Sequence, residues 1–323
     1  GVDLYNASAN VSNHRSPEAP NMIRDEVGKV RKRMGFTTVA AFPARINGVH
    51  TLDGQTVVHA GTWIFLQGEA PEGHVPPEGA DQVEGYYAVY GEMADRRSRA
   101  IQFDGKLYLL DGQTYTVFDG TAVTPVRESA YVPVIIIGRA PTGGGTAYEP
   151  LNLLGRKWRE DFLGTAGATV YQLTTAELDA APVECQVMNS SGKWEDRVEG
   201  THFTVNRTTG TVTFSTAPGV SPISGVDNVR IWPSKTREGY AARIDQCDTG
   251  ALFGVSGATD RIFFCGNPDY PNLDYYSAYN DPTFVGDTYY LTAGQDDSAI
   301  VGYSVLGNYL AVHKSGSADG RNI

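Results

Sequence analysis

The chain has 323 residues, and its 37 acidic and 26 basic residues give a formal net charge of −11 at neutral pH. This excess of acid excludes a general nucleic-acid binder that covers phosphates with a broad positive face. Hydrophobic residues make up 41% of the sequence, enough to build a buried core, which excludes general disorder. The 37 Gly and 18 Tyr, with only 4 Met, favour short strands joined by tight turns. The composition therefore predicts an all-β protein.

Neither a membrane segment nor a disulfide framework is evident in the sequence. The longest apolar run, residues 131–137, is far shorter than the ~20 residues that span a bilayer, so we expect no membrane anchor. The first residues lack a basic segment followed by an apolar one, so no signal peptide is expected. Cys185, Cys247 and Cys265 are widely spaced and odd in number, and we expect them to be buried small side chains.

The first 45 residues have the character of an extended arm. Pro17 and Pro20 restrict the backbone within a polar stretch, which predicts a segment that lies along another surface. A compact basic run follows at residues 29–33. In an acidic chain, one such run is more typical of a solvated strand or a subunit contact than of nucleic-acid binding. We therefore expect residues 1–45 to make contacts through their charged side chains.

A repeated unit of strand, tight turn and strand begins near residue 46. Asp53-Gly54 closes its first turn, and the next copy contains Asp-Gly pairs at 104, 111 and 119, which predict a four-stranded meander. Two later copies cover residues 251–266 and 300–313. The copies recur about every fifty residues, in the range of β-propeller blades. We assign residues 46–149 and 236–323 to propeller blades.

The segment 150–235 interrupts the repeat and has a different pattern. Alternating strands are predicted at 183–187, 202–206, 211–215 and 228–232, as in a small β-sandwich, so we expect an inserted domain. The sequence stops just after a strand of an unfinished blade. Either further blades lie beyond residue 323 or the propeller is open, and we favour truncation. The predicted fold is an all-β propeller, incomplete over residues 236–323, with an inserted β-sandwich.

Motifs for catalysis or metal binding are not found in the sequence. The six histidines are scattered without the spacing that places two of them on one metal, and neither a nucleophile elbow nor a phosphate loop occurs. His50 and His59 flank a predicted turn, and we expect them to pack across a hairpin. Asp296 and Asp297 lack the alternating oxygen ligands of a calcium loop. We predict no catalytic residue, metal or cofactor.

One aromatic stretch, residues 267–290, is a candidate ligand surface. Tyrosines alternate there with aspartates, and such residues bind sugars because rings stack on the pyranose face while carboxylates accept hydroxyl hydrogen bonds. The alternative is an ordered loop between blades, stiffened by prolines, whose tyrosines pack at a subunit contact. The candidate ligand residues are Tyr270, Asp274, Tyr275 and Tyr276.

Two stretches resemble the propeller-type tail proteins of tailed bacteriophages and prophages. The first is residues 16–36, where Pro17 and Asn21 precede a Lys32-Arg33-Met34-Gly35 turn. The second runs from Phe264-Cys265-Gly266-Asn267-Pro268-Asp269-Tyr270-Pro271-Asn272 to Tyr276-Ser277 and Asp281-Pro282-Thr283-Phe284, and it is similar to a blade motif of those proteins. Each stretch spans 21 residues, in motifs of moderate specificity within a general blade pattern.

The resemblance implies a non-enzymatic structural protein of the virion tail. It would be a subunit of a nozzle or stopper ring that forms part of the conduit for genome ejection. Its expected partners are copies of itself and the portal, adaptor or other tail proteins, while DNA passes through without specific binding. A negative lumen suits that passage because it repels the DNA backbone. The arm residues expected to contact a neighbouring subunit are Arg24, Lys29, Arg31, Lys32 and Arg33.

Two other interpretations stay open at this point. A carbohydrate-binding or glycan-cleaving propeller would use the tyrosine-rich surface, either as a receptor binder on a virion or as a secreted protein. A bacterial surface or scaffold propeller would have no viral role. Titration with glycans distinguishes a carbohydrate-binding propeller from a conduit protein. The neighbouring genes distinguish a bacterial surface or scaffold propeller from a phage protein.

Overall fold

A computed structural model of the chain describes residues 10, 22–24, 30–294 and 298–316, with only the backbone described at 22–24, 30, 31 and 255. The chain forms two compact units, Gly1–Ala41 and Phe42–Ile323. Sheets dominate the described residues, so the prediction of an all-β protein is confirmed. None of the helices in the described residues is long and apolar enough to cross a membrane.

The unit Gly1–Ala41 contains a short antiparallel pair of strands, β1 (Met22–Arg24) and β2 (Val30–Lys32). The segment after β2 has no regular secondary structure up to residue 42, and several of its apolar side chains are exposed. Met34, Phe36 and Val39 are 75%, 83% and 84% exposed. The Arg33 guanidinium lies 5.6 Å from the centroid of the Phe36 ring.

Three sheets of the unit Phe42–Ile323 are antiparallel meanders of four strands, in which neighbours in sequence are neighbours in the sheet. Two of their hairpin turns have both central residues at positive φ: Asp53 (48°) with Gly54 (83°), and Asp104 (46°) with Gly105 (68°). Glycine adopts this conformation without steric cost, which explains the Asp-Gly pairs. Sheet A comprises β3 (Ile46–Leu52), β4 (Gln55–Ala60), β5 (Trp63–Gln67) and β6 (Tyr86–Tyr90). Sheet B comprises β7 (Arg99–Phe103), β8 (Lys106–Leu110), β9 (Tyr115–Phe118) and β10 (Val123–Pro125).

Two other sheets, which share one core, lie along the chain between sheet B and the third meander. Their facing sides bury one hydrophobic core, which includes Trp158, Phe162, Tyr171, Phe203 and Phe214. Sheet C has six strands in the order β12-β11-β13-β19-β15-β16, and sheet D has three in the order β14-β18-β17. The strands are β11 (Val134–Arg139), β12 (Thr146–Ala147), β13 (Arg159–Phe162), β14 (Val170–Gln172), β15 (Glu184–Met188), β16 (Trp194–Arg197), β17 (Phe203–Asn206), β18 (Thr211–Phe214) and β19 (Val229–Trp232).

The third meander, sheet E, follows a one-turn helix, α1 (Ala242–Asp245), and a separate hairpin follows it. Short 3-10 turns lie at Val126–Ser129 and Val255–Gly257. Sheet E comprises β20 (Thr249–Phe253), β21 (Arg261–Cys265), β22 (Leu273–Tyr276) and β23 (Tyr290–Thr292), and the hairpin comprises β24 (Ile300–Leu306) and β25 (Tyr309–Lys314). Two strands of sheet C, β11 and β12, come before residue 150, where the inserted domain was predicted to begin. The domain boundaries at 150 and 235 stay predictions.

Sheet B is buried on both faces because it packs between sheets A and E. All four residues of β9 are buried. One face of sheet B contributes Leu107, Leu109 and Phe118 to a core shared with Leu52, Val57 and Ile64 of sheet A. The other face contributes Tyr108, Leu110 and Tyr115 to a core shared with Ile262, Phe264 and Tyr275 of sheet E. The first strands of sheets A, B and E and of the hairpin β24–β25 contact one another in order: β3 contacts β7, β7 contacts β20, and β20 contacts β24.

The three cysteines are buried and unpaired, as the sequence predicted. Burial raises the pKa of the Cys185 thiol to about 12. His50 and His59 are diagonal neighbours across the β3–β4 hairpin, since His59 pairs with Gly48 and His50 pairs with Val57. The sequence expectation that these two histidines pack across strands agrees with this register.

Candidate functional site

The predicted ligand residues of β22 divide between the interior and a cleft. Asp274 and Tyr275 are only 3% and 1% exposed. The Asp274 carboxylate accepts a hydrogen bond of 2.6 Å from the Tyr303 hydroxyl, and Tyr275 lies in the core shared by sheets B and E. Both side chains are therefore packed in the interior and do not present a ligand surface.

Tyr270 and Tyr276, the other two predicted ligand residues, have different neighbours. The Tyr270 ring lies 5.5 Å from the Arg243 guanidinium. The Tyr276 ring is half-buried and stacks on Tyr289. Among the predicted ligand residues, Tyr276 alone lines a cavity that we call the aromatic cleft. This cleft has a volume of about 490 Å³ and is lined by Tyr131, Glu149, Arg261, Tyr276, Ala278, Tyr279, Asp281, Phe284 and Tyr289.

A chain of ring contacts forms the wall of the aromatic cleft. The Tyr276 and Tyr289 rings are 5.4 Å apart between centroids with an interplanar angle of 8°, and Phe284 lies 5.5 Å from Tyr289. Tyr131 continues the wall, with its ring 4.9 Å from that of Phe284. Rings arranged in this way bury large apolar area and leave hydroxyl groups for hydrogen bonds.

The polar groups of the aromatic cleft are two carboxylates and one guanidinium. Glu149 accepts hydrogen bonds from the Val134 N–H at 2.6 Å and from the Tyr131 hydroxyl at 3.2 Å. Burial, and then the nearby charge of Glu149, raise the pKa of Tyr131, which keeps its hydroxyl a neutral donor. Asp281 accepts from the Thr283 N–H at 2.9 Å, and the Arg261 guanidinium lies 3.6 Å from the Tyr279 ring centroid. The cleft therefore combines aromatic rings with hydrogen-bond acceptors.

Sequence reasoning located only part of this cleft. Tyr276, Tyr279 and Tyr289 fall inside the stretch 267–290, whereas Tyr131 and Glu149 come from a segment far earlier in the chain. Backbone hydrogen bonds join the two segments, from the Tyr131 N–H to the Thr283 carbonyl at 3.3 Å and from the Leu153 N–H to the Val285 carbonyl at 2.8 Å. Backbone pairing between segments so far apart in the chain leaves no local pattern in the sequence.

The arm residues predicted as subunit contacts are only partly described. Lys29 lies outside the described residues, and Arg24 and Arg31 are described as backbone in β1 and β2. Lys32 and Arg33 are exposed. Their assignment to a subunit contact stays a prediction.

No group of three His, Cys, Asp or Glu side chains in the described part of the chain is arranged to hold a metal ion. Comparison of the chain with protein-family models, with curated proteins and with solved structures found no match. Functional inference therefore depends on the geometry and the sequence resemblance.

Proposed function

We propose that this chain is a non-enzymatic structural protein of a tailed-phage virion. In this proposal it is a subunit of a tail nozzle or stopper ring, and copies of it form part of the genome-ejection conduit. The observation that carries the proposal is the succession of four-stranded meanders that pack face to face, with their first strands in contact. The sequence resemblance to phage tail proteins supplies the biological role.

The packing of sheets A, B and E supports a β-propeller. Propeller blades are four-stranded antiparallel sheets arranged radially, so that consecutive blades pack face to face and their first strands surround the axis. Sheet B has this environment on both faces, and β3, β7, β20 and β24 contact in order. In this proposal the hairpin β24–β25 belongs to a further blade, and the sandwich of sheets C and D is inserted between the second and third blades.

Exposed apolar side chains support contacts with other chains. Val305, Leu306 and Tyr309 of the hairpin are 54%, 62% and 77% exposed. Met34 and Phe36 beside the basic run are also exposed. Apolar groups with adjacent cations are suited to a subunit interface, because burial removes the apolar area from water while charges set the partner's register.

The expected partners of the ring are copies of this chain and the portal, adaptor or other tail proteins. A net charge of −11 per subunit suits a conduit through which DNA passes without specific binding. In the arm, Arg24, Lys29, Arg31, Lys32 and Arg33 contact the neighbouring subunit. Replacing Lys29, Arg31 and Arg33 together with Ala is expected to weaken assembly while the monomer stays folded.

Negative-stain electron microscopy tests the ring directly. The purified chain is imaged alone and together with the portal and adaptor proteins encoded beside it. Closed rings with a central opening, alone or with those proteins, are the expected result. Separate particles of single-subunit size under both conditions would contradict the proposal.

A second candidate function, glycan binding, is favoured by the aromatic cleft. Its ring wall and its two carboxylates match the stacking and hydroxyl contacts that sugars require, and its volume of about 490 Å³ is in the range of ligand sites. Titration with a glycan panel, followed by tyrosine fluorescence, distinguishes the two functions. Saturable binding to one glycan class would support a receptor-binding role on the same virion, and no response across the panel would exclude it.

A further inference from the structure

A second cavity of about 580 Å³, which we call the basic cleft, has the opposite charge to the chain as a whole. Five cations and one carboxylate, Glu128, line it, above apolar groups that include Val132 and Leu153. A cleft of one sign focuses the electrostatic field and attracts the opposite charge. The cations are Arg127, Arg156, Lys157, Lys235 and Arg237.

Three of these cations already have acidic partners. Arg127 lies 3.7 Å from Asp245, Lys157 lies 2.5 Å from Glu184, and Lys235 lies 3.5 Å from Glu177. Glu177 and Glu184 are exposed, so these last two pairs are solvated and can exchange partners.

Arg156 and Arg237 differ, because neither has a carboxylate within ion-pair distance in the described part of the chain. Arg156 is exposed. The Arg237 guanidinium lies 4.7 Å from the centroid of the Trp158 ring and 5.8 Å from that of the Tyr240 ring, and it donates a hydrogen bond of 3.4 Å to the Lys235 carbonyl. Burial lowers the pKa of Arg237. The charges of Asp287 and Asp179 also act on Arg237, but neither carboxylate forms an ion pair with it. A guanidinium packed against rings, with no carboxylate in ion-pair contact, can bind an incoming carboxylate through two hydrogen bonds.

The chain also carries a surface of complementary charge, the acidic loop at residues 68–85 between β5 and β6. It contains no Lys or Arg, and its exposed acidic side chains have no cationic partner among the described residues. Its apolar Val75 is 83% exposed. The Gly68 N–H donates to the Gly85 carbonyl at 2.8 Å, so the two ends of the loop meet. The acidic residues are Glu69, Glu72, Glu78, Asp81 and Glu84.

We propose that the acidic loop of one copy binds the basic cleft of the next copy, an inference that rests on the ring proposed above. Carboxylates of the loop pair with Arg156 and Arg237, and Val75 contacts the apolar groups of the cleft. Since loop and cleft are different surfaces, the contact is head-to-tail, and such contacts build rings when the rotation closes. The occupant of the cleft is thus a second copy of this chain.

The first test measures binding of the loop alone. A fluorescent peptide of residues 68–85, cyclised because its ends meet in the protein, is titrated with dilute full-length chain, and anisotropy is recorded. The control peptide carries Gln for each Glu and Asn for Asp81. We expect saturable binding that weakens at high salt, and binding of the control peptide at least about tenfold weaker.

Matched protein variants locate the binding site. R156E/K235E reverses two charges of the basic cleft, whereas K106E/K193E makes the same change in charge at two exposed lysines outside it. The cleft variant is expected to bind the acidic peptide at least about tenfold more weakly than the wild type, and the control variant to bind it about equally. Equal loss in both variants, or no binding of the acidic peptide to the wild type, would overturn the inference.

A charge-swap experiment separates this contact from the ring itself. The loop variant E69K/E72K/E78K and the cleft variant R156E/K235E are each expected to stay monomeric, and an equimolar mixture to assemble. If the wild type forms rings and both variants do so unchanged, the loop–cleft contact is wrong while the ring stands. If the peptide binds the cleft but the wild type never forms rings, the contact stands and the ring is wrong.

Discussion

Tyr276 and Tyr289 stack nearly parallel, 5.4 Å apart between ring centroids, and this pair forms one end of the aromatic cleft. If a glycan binds there, Tyr276→Ala removes one ring of the pair and is expected to weaken binding about tenfold, since aromatic contacts contribute ~1 kcal/mol beyond their area. Tyr309→Ala is the control, because Tyr309 is 77% exposed on the hairpin outside the cleft. Titration of both variants with the glycan found in the panel checks this. Equal affinities would remove the cleft as the glycan site.

Gly250, in β20, lies where sheet E packs closely on sheet B. A Cβ at Gly250 would lie 2.6 Å from Ile101 Cδ1 and 2.9 Å from the Phe263 carbonyl oxygen, whereas one at Gly302 in β24 would meet nothing within 4 Å. Gly250→Ala is therefore expected to lower the free energy of unfolding by about 1–3 kcal/mol, because overpacking forces the sheets apart. Gly302→Ala is the control and should change it by less than about 0.5 kcal/mol. Urea unfolding measures both, and equal stabilities would contradict the packing.

Asp274 is expected to make the protein less stable as pH rises. Burial raises the pKa of Asp274 from 3.8 to about 6, so the folded state binds the proton more tightly than the unfolded chain. Stability then falls as pH rises between these two values. Asp274→Asn keeps an oxygen to accept from Tyr303 and removes this dependence, so it should raise the free energy of unfolding at pH 7 by about 1–3 kcal/mol. The free energies of unfolding of the wild type and the variant, measured at about pH 4, about pH 5 and about pH 7, check this. A variant with the wild-type pH dependence would contradict it.

His50 and His59 act in the opposite direction. Burial, and then the neighbouring His59, lower the pKa of His50 from 6.5 to about 4, and burial lowers that of His59. The unfolded chain therefore takes up protons first, and stability is lost as pH falls from 6.5 towards 4. The double variant His50→Gln with His59→Leu should flatten this loss. Thermal unfolding across that range decides it, and an unchanged slope in the variant would show that other groups cause the loss.

The sequence predicted local elements more accurately than long-range contacts. The strands predicted at 202–206 and 211–215 are found at Phe203–Asn206 and Thr211–Phe214, because residue alternation and turn residues act over a few positions. The interior position of Asp274 had no such signal, since the hairpin residue Tyr303 covers it from later in the chain. Likewise, Tyr131 and Glu149 join the aromatic cleft through backbone pairing with residues 283–285. Site residues brought together from distant segments require the three-dimensional structure.

The mass of the purified chain in solution tests the central claim most directly. Light scattering at near-physiological salt is recorded for the chain alone and with the portal and adaptor proteins, over a wide range of concentrations. We expect this chain to form, in at least one condition, an assembly whose mass corresponds to a fixed number of 34.9 kDa subunits. A mass of one subunit in every condition would contradict the ring.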